Sequence, residues 1–148
     1  MRLIKPALVI LCAALLAGCA SPRRSVTVID KPVNVAQAAK LVSLYRASRG
    51  LGPVKPDPQI TAAAATQARV VARDGELSHG DFSGRISAYR VDAAAENLGM
   101  GPTTLEGAIA LWKASPAHNA NLLSPTMTRI GVARADSDAP FWTMVLAK

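Results

Sequence analysis

Leu111-Trp112-Lys113-Ala114-Ser115-Pro116-Ala117-His118-Asn119-Ala120-Asn121-Leu122-Leu123 reads as the end of one helix, a tight corner and the start of a second. Ser115 is a good N-cap residue, and Pro116 fits the first helical position, where its missing N–H costs nothing. His118 then falls in the first turn of the second helix. The partial positive charge at a helix N-terminus disfavours the imidazolium there and leaves a neutral ring able to accept a proton or bind a metal. The only other histidine is His79, in Ser78-His79-Gly80, and between the two lies Glu96-Asn97-Leu98. Three chemically capable side chains therefore sit in three separate segments, and joint chemistry requires a fold that brings them together.

Working outward, Thr103 or Thr104 caps the helix that leads into the corner, with Leu105, Ala108, Leu111 and Trp112 on its apolar side. Asn34 caps an earlier helix that runs to about Arg49, with Ala38, Leu41, Val42 and Tyr45 on one face and Gly50 as the stop. After the loop Leu51 to Pro56, Asp57-Pro58 opens another helix through Ile60, Ala64, Ala68 and Val71, ending before Asp74-Gly75. Gly84 to Tyr89 reads as a short helical turn and Glu96-Asn97-Leu98 as a short strand. Thr128 to Ala135 and Phe141 to Ala147 are rich in β-branched and apolar residues and read as strands joined by a turn at Asp136 to Pro140. Helices first and a terminal hairpin last predict an α+β fold, with helices covering a small antiparallel sheet.

The N-terminus carries a different signal. Arg2 and Lys5 precede an apolar run from Ala7 to Ala17, which has the length of a signal-peptide core and is too short to span a bilayer as a helix of about 20 residues. It ends in Leu16-Ala17-Gly18-Cys19, the pattern of a bacterial lipobox. The expected organisation is a signal peptide over 1–18, a lipidated tether over 19–33 beginning at Cys19, and a domain over 34–148. Val26 to Ile29 has the composition of an edge strand, but the Pro- and Arg-containing surroundings favour the tether reading. Ala20 after the cysteine points to an outer-membrane lipoprotein of the cell envelope that faces the periplasm.

Cysteine use agrees with that address. Of the two cysteines, Cys12 leaves with the signal and Cys19 takes the lipid, so the domain has neither a disulfide nor a thiolate metal site. Its stability must come from a packed core, for which the length suffices. The formal charge of +7 falls to +5 once Arg2 and Lys5 are removed, and the remaining charge is dispersed. No interleaved basic and aromatic cluster marks a nucleic-acid partner. The expected partners are the membrane, through the lipid, and a lipid, glycan or envelope-protein ligand.

Taken in order, Tyr45-Arg46, Leu51-Gly52-Pro53, Ser78-His79, Glu96-Asn97-Leu98, Trp112-Lys113-Ala114-Ser115-Pro116-Ala117-His118, Arg129-Ile130-Gly131-Val132 and Phe141-Trp142 resemble the bacterial branch of the CAP superfamily. That superfamily comprises the cysteine-rich secretory proteins, antigen 5 and the pathogenesis-related 1 proteins. The resemblance runs from about Val35 to the C-terminus and implies an α-β-α sandwich with a small sheet between helical layers. It also implies a central cavity holding two histidines and two glutamates. His79, Glu96 and His118 match three of these positions, and Ser115 stands where the second glutamate is expected. Linked activities in the superfamily include sterol or lipid binding, cavity metal binding and proteolysis.

Three functional classes follow. Two neutral imidazoles and a carboxylate suit a tetrahedral zinc site with one open position, so a metal-dependent hydrolase would use His79, Glu96 and His118. The same residues can instead hydrogen-bond one another across a buried polar pocket of a non-catalytic binding module, with Ser115 as a fourth pocket residue. A structural interaction module with a vestigial pocket is the third, and the missing glutamate favours it. A serine hydrolase built on Ser115, His118 and Glu96 is disfavoured, because N-capping already accounts for Ser115 and no Gly-x-Ser-x-Gly elbow occurs. The reading adopted is the binding module.

Overall fold

The computed structural model describes residues 25–148 apart from Ala93. The signal-peptide and lipidation readings over 1–18 and at Cys19 lie outside the described residues. In chain order the elements are β1 (Ile29–Lys31), α1 (Val35–Ala47), β2 (Lys55–Pro56), α2 (Pro58–Asp74), α3 (Phe82–Ala88), β3 (Ala94–Met100), α4 (Leu105–Ala114), α5 (Pro116–Leu122), β4 (Arg129–Asp136) and β5 (Pro140–Ala147).

The helices begin where short polar side chains satisfy free N–H groups. Asn34 accepts from the Gln37 N–H at 2.9 Å, and Asp57 accepts from those of Gln59 and Ile60 ahead of Pro58. Thr104 and Asp81 cap α4 and α3 in the same way. α2 stops at Gly75, whose φ of 68° is the left-handed conformation that glycine adopts without steric cost.

The sheet runs in the order β1-β4-β5-β3, with antiparallel neighbours throughout and the two-residue β2 parallel to β4. Strand alternation sends successive side chains to opposite faces. Ile130, Val132, Trp142, Met144 and Leu146 pack against α1, α4 and α5 on one side. Ala133, Ala135, Phe141, Val145 and Ala147 pack against α2 and α3 on the other. Helices cover both faces of a small sheet, which is the α-β-α sandwich expected.

Two segments differ from expectation. Ile29–Lys31, read as tether, is the edge strand β1 and pairs with Arg134 to Asp136. All three residues are exposed, so no apolar alternation marked the strand, and the pairing is made by backbone groups. The Leu51 to Pro56 loop contains β2, which is likewise held through its backbone, the Lys55 N–H donating to the Thr128 carbonyl at 2.8 Å.

Candidate functional site: a histidine and a buried ion pair at the sheet edge

β3 is an edge strand, and its consecutive residues Glu96 and Asn97 point to opposite faces. Glu96 turns toward α2 and α3. Its side chain is only 1% exposed, and each carboxylate oxygen has its own partner. Nδ1 of His79 lies 2.8 Å from Oε1, and Nη2 of Arg85 donates to Oε2 at 2.5 Å. The Arg85 side chain is 9% exposed, so the Arg85–Glu96 ion pair is buried, whereas the His79 side chain is 56% exposed.

The network continues into α2. Nη1 of Arg85 donates to Oε1 of the buried Gln67 at 2.5 Å, and Nε2 of Gln67 donates to the Ser78 carbonyl. Arg85 also reaches the His79 carbonyl at 3.4 Å. The loop that carries His79 is thus held by side chains from α2 and α3, and its ring is held by β3.

Asn97 faces the other layer. Its Nδ2 donates to the His118 carbonyl at 2.9 Å, and Nδ2 of Asn121 donates to Asn97 Oδ1 at 2.8 Å and to the Glu96 carbonyl at 3.3 Å. Tyr45 of α1 donates from its hydroxyl to Asn119 Oδ1 at 2.7 Å. α5 is fastened to the sheet edge by Asn97 and Asn121 and to α1 through Asn119, and that fixes the backbone of His118. The His118 ring lies close enough to His79 for their charges to interact. Burial, and then repulsion by His79, lower its pKa below the ordinary 6.5, so the ring is neutral at physiological pH. Its Nδ1 is buried and has no hydrogen-bond partner.

The structure brings His79 and Glu96 into direct contact and ties the His118 backbone to Asn97, the neighbour of Glu96. Ser115 occupies the N-cap position of α5, but its hydroxyl makes no capping bond, so the side-chain cap read from the sequence is absent. Pro116 at the first helical position and the Asn119 N–H bond to the Ser115 carbonyl open the helix instead. No hydrogen bond joins Ser115 to His118 or Glu96 among the described residues, and this leaves the serine-nucleophile reading without its base.

The proposed zinc set does not fit either. A catalytic zinc needs three protein ligands. Glu96 spends one oxygen on a guanidinium and the other on His79 Nδ1, and among the described residues no three His, Cys, Asp or Glu side chains are grouped to hold a metal ion. Metal ligation by His79, Glu96 and His118 is therefore not shown among the described residues, where the carboxylate is occupied by Arg85 and His79.

Arg85, Gln67, Asn97 and Asn121 were not picked out from the sequence. Asn97 could have been, since alternation on a strand containing Glu96 must send its neighbour to the opposite layer. Asn121 stands three residues after His118 and shares its helix face. Arg85 carries no local signal: its burial follows from α3 folding over the sheet edge.

The CAP family model, described as the cysteine-rich secretory protein family, matches residues 39–146. Comparison with curated proteins gives no match. Among solved structures, an extracellular protein containing an SCP domain from Bacillus anthracis is similar over 76% of this chain, with 23% identity and a TM-score of 0.68. An outer surface protein from Borrelia burgdorferi is similar over 81%, with 18% identity and a TM-score of 0.68. A cysteine-rich secretory protein from Staphylococcus aureus is similar over 78%, with 17% identity and a TM-score of 0.63. The match spans 98% of the Borrelia chain but only 39% of the Bacillus chain and 40% of the Staphylococcus chain. At these identities the likeness speaks to the fold. The family match, which spans most of the chain, says more: this chain belongs to the CAP, or cysteine-rich secretory protein, family.

Proposed function

We propose that this chain is an envelope-anchored CAP-domain lipoprotein whose pocket of His79, Glu96 and His118, with Ser115 at the corner beside it, binds a lipid, glycan or protein partner without catalysis. The observation that carries the reading is Nδ1 of His118, a buried ring nitrogen that no protein group satisfies, beside the exposed ring of His79. Buried polar atoms are normally paired, so an unpaired one marks a place that a ligand atom would complete. Glu96 has no free oxygen with which to act as a general base, and this favours binding over hydrolysis.

The address rests on the lipobox at Leu16 to Cys19, which supports lipid attachment and a periplasm-facing position at the outer membrane. The Borrelia relative, an outer surface protein, is consistent with an envelope role. The test has two parts. Cell fractionation should find the native chain with membranes and Cys19→Ala in the soluble periplasmic fraction; equal partitioning would refute the anchor. Mass spectrometry of small molecules extracted with the purified protein should find a species that is depleted in folded His118→Ala. Identical extracts would refute the pocket as the binding site.

A further inference from the structure

The geometry points to Arg85 as a positioning residue that makes His79 a hydrogen-bond acceptor toward the pocket, so that the pocket selects a neutral ligand rich in hydroxyl groups. The Glu96 carboxylate is buried and paired with the Arg85 guanidinium at 2.5 Å. An ionised carboxylate only accepts hydrogen bonds. The 2.8 Å contact from Glu96 to His79 Nδ1 therefore places the proton on Nδ1. In the neutral ring Nε2 then carries the lone pair, on the side of the ring away from the carboxylate. Arg85 is needed for this because it already balances the charge of Glu96. Without it, the buried carboxylate would be left with an uncompensated charge against His79.

His118 presents a second acceptor. Its ring is neutral, and its buried Nδ1 has no partner. Leaving a lone pair unpaired in a protein interior costs less than stranding an N–H, so the proton belongs on Nε2. Two acceptor nitrogens, one exposed and one buried, beside an internally neutralised ion pair form a site without net charge. Such a site suits a ligand that donates hydrogen bonds and gives no advantage to a free anion or cation. Polyol groups meet the requirement, whether on a glycan or on a sugar-bearing lipid headgroup. This ligand class rests on the binding-module reading above, whereas the placement of the protons does not.

The test is nitrogen-detected NMR of the histidine rings in the ¹⁵N-labelled protein at neutral pH. The expected spectrum has His79 protonated on Nδ1 alone and His118 on Nε2 alone. Folded Arg85→Gln should lose the His79 pattern, and Arg85→Lys should restore it by returning the charge. Arg85 is overturned as the positioning residue if the native protein carries its His79 proton on Nε2, or if folded Arg85→Gln keeps the native pattern. The native spectrum alone decides the proton placement should Arg85→Gln fail to fold. Chitotetraose and vesicles containing glucosyl diacylglycerol are then added separately, with inorganic phosphate as the charged control. A shift of His79 Nε2 and His118 Nδ1 with either sugar probe but not with phosphate supports the ligand class and identifies its source. A response to phosphate alone, or to none of the three, overturns the ligand class while leaving the proton placement to stand on its own spectrum.

Discussion

Thr143 illustrates how a single residue can hold recoverable stability. It is fully buried on β5, on the face that meets α2, and its hydroxyl has no partner. A buried unsatisfied hydroxyl costs about 1–3 kcal/mol, and valine has nearly the same shape. Thr143→Val should therefore stabilise the domain by about 1 kcal/mol, read as a rise in the urea midpoint at unchanged m-value. His118 gives a second prediction at this scale. Burial and His79 hold its folded-state pKa below 6.5, so the unfolded chain binds a proton that the native ring refuses. The stability increment is complete above about pH 6.5 and is lost as the pH falls toward the lowered folded value. Asp30, which the Arg69 hydrogen bond holds below its ordinary 3.8, responds in a more acidic window. Urea unfolding at pH 7.5 and pH 5 should show the loss in the native chain and a smaller one in folded His118→Asn.

Among the elements, β4 and α2 approach each other closely at Gly131. A Cβ added at Gly131 would fall within the backbone of Ile60 and Thr61, so any larger residue would push the helix off the sheet. Gly131→Ala should destabilise by about 3 kcal/mol or more, seen as a large drop in thermal midpoint or loss of soluble protein. The alanines of α2, spaced to allow close packing, made this approach legible in part; the glycine opposite them did not stand out until the register was known. Helix starts were the most readable features, because Asn34, Asp57 and Thr104 act locally, within three residues of the N–H groups they satisfy. β1 and β2 were not readable: they are three and two residues long, exposed, and defined by what pairs with them. The site divides in the same way. His79, Glu96 and His118 could be singled out by chemistry and by family resemblance. Arg85 and Gln67 could not, because their role exists only after α2, α3 and β3 converge.

At the scale of the whole molecule, Arg46 joins parts that are distant in sequence. The residue is 1% exposed, and its side chain donates to the carbonyls of Gly52, Leu122, Ser124 and Met127 at 2.8–2.9 Å. It therefore links α1 to the loop before β2, to the end of α5 and to the entry of β4. Arg46→Met would keep much of the volume but leave four acceptors without their donor, at a cost of about 3–5 kcal/mol. Differential scanning calorimetry should show one cooperative transition moved to a much lower temperature; a shift of only a degree or two would contradict this account.

The sheet order has a consequence for how the chain is made. β5, the last element in the described chain, lies in the middle of the sheet, with β4 on one side and β3 on the other. Until Pro140–Ala147 has emerged from the ribosome, β3 and β4 have nothing to join them, and both sandwich layers lack a floor. A nascent chain of this topology stays open until Pro140–Ala147 has emerged, and its sheet closes when that strand arrives.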